Sequence, residues 1–185
     1  MSLFDTPDRP SRLFISILGW LTIALAVSMA LLPRSLPAVN TFGIILIIAG
    51  VVEIMVATMA ARWATAPVLL GGVLTLSAAL AVLLVGPHTF FTVSAIVALW
   101  LIARALLLLV LAFRAPWRSA MSWLLISGVG NAVLACFAVL VMVSVSVLHA
   151  FFGPAPQGAG YSAVPALSLL FSGVAFAAAP IADRK

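Results

Sequence analysis

Apolar residues fall into six long runs separated by only a few residues each. The runs are about Leu13–Leu32, Asn40–Ala60, Thr65–Val85, Thr89–Phe113, Ser119–Leu148 and Tyr161–Ile181. A helix needs about 20 apolar residues to cross a hydrocarbon core about 30 Å thick. Lipid offers backbone N–H and C=O groups no partners, so a crossing segment is a helix or part of a closed barrel. The runs lack the two-residue alternation of barrel strands. The pattern predicts an all-α fold: a polytopic membrane bundle of six transmembrane helices. Composition agrees. Of 185 residues, 65% are hydrophobic and 7% charged, whereas a soluble domain is about half apolar and a quarter charged. A soluble fold is excluded, and so is disorder, which requires the opposite balance.

The breaks carry turn residues. Pro33 and Pro37 follow the first run, Gly86-Pro87 separates the third and fourth, and Ala115-Pro116 the fourth and fifth. His149–Gly160 holds three glycines and two prolines and reads as a loop. The sixth run is alanine-rich, contains Pro165 and Pro180, and is the weakest.

Nine Lys and Arg face four Asp and Glu. The arginines are single residues between apolar runs, so they build no basic groove and no nucleic-acid partner is expected. They report orientation instead. One side receives Arg9, Arg12, Arg62, Arg114, Arg118 and Arg184, and the other Arg34 alone. Cations collect on the cytoplasmic side, which places both termini in the cytoplasm. Trp63, Trp117 and Trp123 fall at the same boundary, as an aromatic belt does. Residues 1–12 and 183–185 then form cytoplasmic tails around one membrane domain, 13–182. The first run is too long for the core of a cleaved signal peptide.

Pro33 and Pro87 are 54 residues apart, as are Trp63 and Trp117. Each pair marks the same landmark, so a helical hairpin repeats in parallel, over about 13–62, 63–116 and 117–182. Small residues mark packing faces. Gly43, Gly50 and Ala57 recur every seven residues, and Gly128, Ala132 and Cys136 every four. Such spacing lets helix backbones approach closely within one chain. Cys136, the lone cysteine, reads as a small buried hydrophobe.

Three stretches carry a family likeness. They are Ile48-Ala49-Gly50-Val51-Val52-Glu53-Ile54, Trp63 through Pro67 to Gly71-Gly72-Val73-Leu74, and Ser122-Trp123-Leu124-Leu125-Ile126-Ser127-Gly128-Val129-Gly130-Asn131. With six spans in matching order, the chain resembles the HdeD family of bacterial inner-membrane proteins. The resemblance implies a six-helix protein linked to survival of acid stress, without an established biochemical activity. The chain departs from that family at Asn131, where the family can carry an acid, and at Arg104, where it usually has the repeat glycine. Its third repeat also has a longer outer loop.

Two ionisable residues lie deep in the runs, Glu53 and Arg104. Each costs several kcal/mol in lipid unless paired or hydrated. Both sit about 13–15 Å from the arginine-rich boundary, at 1.5 Å per residue. A buried ion pair between the second and fourth helices follows, which fixes helix register or serves a proton or ion relay. Trp100, one turn before Arg104, offers a cation–π face. Asn131 lies near mid-membrane and is expected to bond to a neighbouring helix. The outer loops would carry Arg34, His88 and His149 and no carboxylate. An unperturbed imidazole titrates at about pH 6.5, so acid adds charge there only at these two candidate pH-responsive histidines.

No zinc-helix motif, phosphate loop, dinucleotide fingerprint or serine–histidine–acid set is present, so neither an enzyme nor a cofactor is expected. The expected partner is the lipid bilayer. A homo-oligomer or another membrane partner stays open. The leading reading is a non-enzymatic inner-membrane protein of acid or general stress tolerance. The rivals are a small proton or ion channel or transporter using Glu53 and Arg104, and a membrane interaction scaffold.

Overall fold

The computed structural model describes residues 9–31, 36–59, 62–84, 90–114, 118–152 and 163–182. They form six helices and no strand: α1 (Arg9–Ala30), α2 (Leu36–Met59), α3 (Arg62–Leu84), α4 (Phe90–Arg114), α5 (Arg118–Phe152) and α6 (Ala163–Ala182). Spans in α1, α2, α4 and α5 are long and apolar enough to cross a membrane. The described apolar parts of α3 and α6 are shorter, Val68–Leu84 and Val164–Val174. The fold is that of a membrane protein.

Several boundaries differ from the sequence expectation. The first helix begins at Arg9, inside the segment read as a tail. Pro37 and Pro165 lie inside helices, in the first turn, where a missing N–H breaks no intrahelical bond. Pro180 sits in the last turn of α6 without ending it. The fifth helix runs through His149 to Phe152, so His149 belongs to a helix and not to a loop. After Gly130 neither glycine nor proline occurs before Gly153. At 35 residues, α5 is about 52 Å long, well beyond the hydrocarbon thickness. Pro33, Arg34, Gly86, Pro87, His88 and Trp117 lie outside the described residues, as do the side chains of Trp63, Trp123 and His149.

The helices close a ring in chain order. The most intimate neighbours are α2 with α3, α4 with α5, and α6 with α1. In the hairpin division expected from the sequence, these would be partners from successive hairpins and not the two arms of one. Glycine explains the intimacy. A methyl group built on Gly72 would stand 3.0 Å from the Gly50 carbonyl oxygen and from the Ile54 nitrogen of α2. One on Gly173 would stand 3.0 Å from the Gly19 carbonyl oxygen and 2.9 Å from the Ile23 nitrogen of α1. One on Gly128 would stand 3.2 Å from the Leu109 nitrogen of α4. Backbone therefore touches backbone at three seams. Apolar helix faces gain little over lipid tails, so close packing carries the association.

Buried apolar side chains divide unevenly along the bundle. Towards the end where α1 stops and α2 starts, all six helices share one cluster, including Met29, Phe42, Val82, Leu101, Ala135 and Leu169. Towards the opposite end, two separate clusters form. One joins Ile15 and Leu18 of α1 to Val52 and Val56 of α2, and the other joins Leu111 and Ala112 of α4 to Leu124 of α5.

Two adjacent glycines separate the packing role from helix propensity. Gly71 would bring a methyl group only to 3.7 Å from Leu107 Cδ2, whereas at Gly72 the methyl would meet Ile54 Cγ1 at 2.7 Å. Gly71→Ala is expected to be neutral or to stabilise by up to about 1 kcal/mol. Gly72→Ala should destabilise by roughly 1–3 kcal/mol. Thermal unfolding of the two purified variants beside wild type checks the contrast.

Candidate functional site

The three close-approach glycines of α1, α3 and α5 are each followed, three residues on, by a fully buried polar side chain: Thr22, Thr75 and Asn131. Three residues advance one helical turn, to within about 60°, so each polar group stays near the face that meets the neighbouring helix. Counting along the antiparallel neighbours, Thr75 stands level with Ala49, Asn131 with Arg104, and Thr22 with Ser172. By this count one residue from every helix falls at about one level, and five of the six are polar.

Arg104 is the hub of that layer. Its Nη1 donates to Glu53 Oε2 at 3.0 Å and to Thr75 Oγ1 at 2.9 Å. Its Nη2 donates to Glu53 Oε1 and, at 2.7 Å, to Ser172 Oγ. The guanidinium and carboxylate thus meet as a two-pronged fork, the strongest geometry for this pair. Arg104 is 5% exposed and Glu53 2%. The Trp100 ring lies 5.5 Å from Arg104 Cζ, within cation–π range.

Thr75 closes the arrangement. A hydroxyl has two acceptor lone pairs and one proton. Trp100 Nε1 donates to Thr75 Oγ1 at 3.3 Å, and Arg104 takes the second lone pair. The Thr75 proton reaches Glu53 Oε2 at 2.8 Å or its own helix at the Gly71 carbonyl, 3.0 Å away. On the other side the bonds continue through α6. Ser172 donates to the Ser168 carbonyl at 3.1 Å, Ser168 donates to Asn131 Oδ1, and Asn131 Nδ2 donates to the Ser127 carbonyl at 2.8 Å. The network joins α2, α3, α4, α5 and α6. In α1, Thr22 donates to its own Leu18 carbonyl at 2.9 Å.

The structure thus brings Glu53 and Arg104 together and links Asn131 to α6. His149 lies far along α5 from this layer, and His88 is outside the described residues. Thr75, Ser168 and Ser172 were not singled out in the sequence. A recurring Gly-x-x-polar element, at Gly19, Gly72 and Gly128, is the signal that points to the layer. The sequence period of 54 matches Arg104 to Gly50, whereas Leu109 meets Gly128 as Ile54 meets Gly72, a separation of 55 and so a shift of one residue. Cys136 corrects another expectation: it is exposed on the bundle surface. Among the described residues, no three His, Cys, Asp or Glu side chains converge as a metal site.

Comparison with family models, curated proteins and solved structures returned no match to this chain.

The hydrogen-bond pattern ranks two substitutions. Thr75→Val strips a partner from Glu53, Arg104 and Trp100 at once, and should cost roughly 2–4 kcal/mol, since each buried unpaired group costs about 1–3. Ser172→Ala strips one partner from Arg104 and should cost about 1 kcal/mol. Equilibrium unfolding in detergent reads the order, and equal losses would contradict the closing role assigned to Thr75.

Proposed function

We propose that the chain is a non-enzymatic protein of the bacterial inner membrane that crosses six times as three repeated hairpins, with both termini in the cytoplasm. Its role, on the resemblance to the HdeD family, is tolerance of acid or general stress. The observation that carries this reading over a conducting one is the enclosure of Glu53. A carboxylate that relays protons must exchange them with water from both sides of the membrane. Both Glu53 oxygens are occupied by Arg104, and one also by Thr75. A continuous apolar cluster fills the bundle towards the end where α1 stops. The pair therefore acts as a clamp that fixes the register of α2, α3, α4 and α6.

The rival, a small proton or ion carrier, rests on the same two residues, and a scaffold role rests on the exposed apolar helix faces. Proton flux in liposomes separates carrier from clamp. Purified wild-type protein under a pH gradient should leak no faster than protein-free liposomes. Flux that Glu53→Gln abolishes while the variant stays folded would sink the clamp reading and establish the carrier. Absence of flux together with a stoichiometric co-purifying protein would favour the scaffold.

A further inference from the structure

We infer that Arg104 Nε binds an ordered water molecule, making the polar layer an internal hydration site reached from the end of the bundle that carries Arg62, Arg114 and Arg118. A guanidinium has five N–H donors. Four of them are used by Glu53, Thr75 and Ser172. The fifth, on Nε, is buried and has no hydrogen-bond partner among the described residues. A buried N–H of a charged group is costly to leave unmade. Both Glu53 oxygens are already engaged by the two Nη groups, so the fork geometry leaves Nε to another acceptor.

The charge of the layer selects the ligand class. Glu53 neutralises Arg104, so an added anion would bring an uncompensated charge to mid-bundle, at a cost of several kcal/mol. A neutral acceptor brings none. Water fits best because it also donates, and the layer offers it further partners. Among the described residues, Asn131 Nδ2 spends one of its two N–H groups on Ser127, and Glu53 Oε1 accepts from Arg104 alone. Two to four polar partners are what a buried water needs.

The divided core supplies the route. The apolar cluster shared by all six helices lies on one side of the layer and closes it there. On the other side the larger buried apolar residues separate into an α1–α2 cluster, with Val68 of α3 packed against it, and an α4–α5 cluster, and buried alanines such as Ala57, Ala105 and Ala177 belong to neither. Water reaches Arg104 between them, from one end only. A site hydrated from one end conducts nothing, so flux through Glu53 would reject the one-ended route, whereas the water on Nε is tested separately below.

Glu53 is the single glutamate in the chain, which makes the test possible without mutation. Protein labelled uniformly with ¹⁵N and selectively with ¹³C-glutamate is placed in bilayers for solid-state NMR. The Arg104 side chain is assigned through its contact with the Glu53 carboxyl carbon. Magnetisation is then transferred from water. The inference predicts transfer to Arg104 Nε at the shortest mixing times, together with the arginines at the bundle ends. Signal that arises only after transfer has spread to Val97 and Leu101, in the shared apolar cluster, would overturn it. A second measurement gives direction. A paramagnetic relaxation agent confined to the side bearing Arg62 should attenuate the early transfer, and attenuation only from the opposite side would reject the route.

Discussion

A guanidinium placed in the middle of an apolar bundle is the constraint on which the rest of this structure depends. Arg104 cannot shed its charge, so the helices around it must supply acceptors. Glu53 supplies charge, while Thr75 and Ser172 supply hydroxyl oxygens, and each comes from a different helix. The four helices must therefore hold one axial register. A slip of one residue moves a side chain by about 1.5 Å and turns it by about 100°, enough to break the fork. Apolar packing alone does not impose such a register, because one leucine face resembles another. The desolvation of the pair opposes its attraction, so its contribution is as much to specificity as to net stability.

Close helix approach is the second requirement, and it is met by small residues. The polar layer lies one turn from three backbone contacts, at Gly72, Gly128 and Gly19. Those contacts draw α3 to α2, α5 to α4 and α1 to α6. The bonds around Arg104 then cross between the resulting pairs. Between those pairs, polar bridges join α3 to α4 and α5 to α6. The seam between α1 and α2 is filled by Ile15, Leu18, Val52 and Val56, with Thr22 bonded within its own helix. All the inter-helix side-chain bonds of the layer therefore have a partner on α3, α4 or α5.

Much of this was legible in the residues, and the misses have physical causes. The helices are plain because lipid leaves a long apolar run little else to form. Glu53 and Arg104 stand out because lipid penalises charge. Thr75, Ser168 and Ser172 do not, since serine and threonine in membrane helices routinely bond the carbonyl four residues back, as Thr22, Ser28 and Ser77 do here. Sequence cannot tell a hydroxyl that bonds its own helix from one that bridges to another. The two small-residue stripes fared differently for a reason of geometry. Steps of seven drift by only about 20° each, so Gly43, Gly50 and Ala57 stay on one face. Two steps of four turn by about 80°, which carries Cys136 off the face of Gly128 and onto the surface.

The central claim is that Glu53 and Arg104 act as one unit, and a double-mutant cycle tests it most directly. Glu53→Leu, Arg104→Met and the joint variant would be unfolded reversibly in micelles beside wild type. Each single variant leaves the other charge buried alone and should lose about 3–5 kcal/mol, whereas the joint variant should lose far less than the sum. Losses that add would mean that the two residues are held by separate partners, and the account of the layer would be wrong.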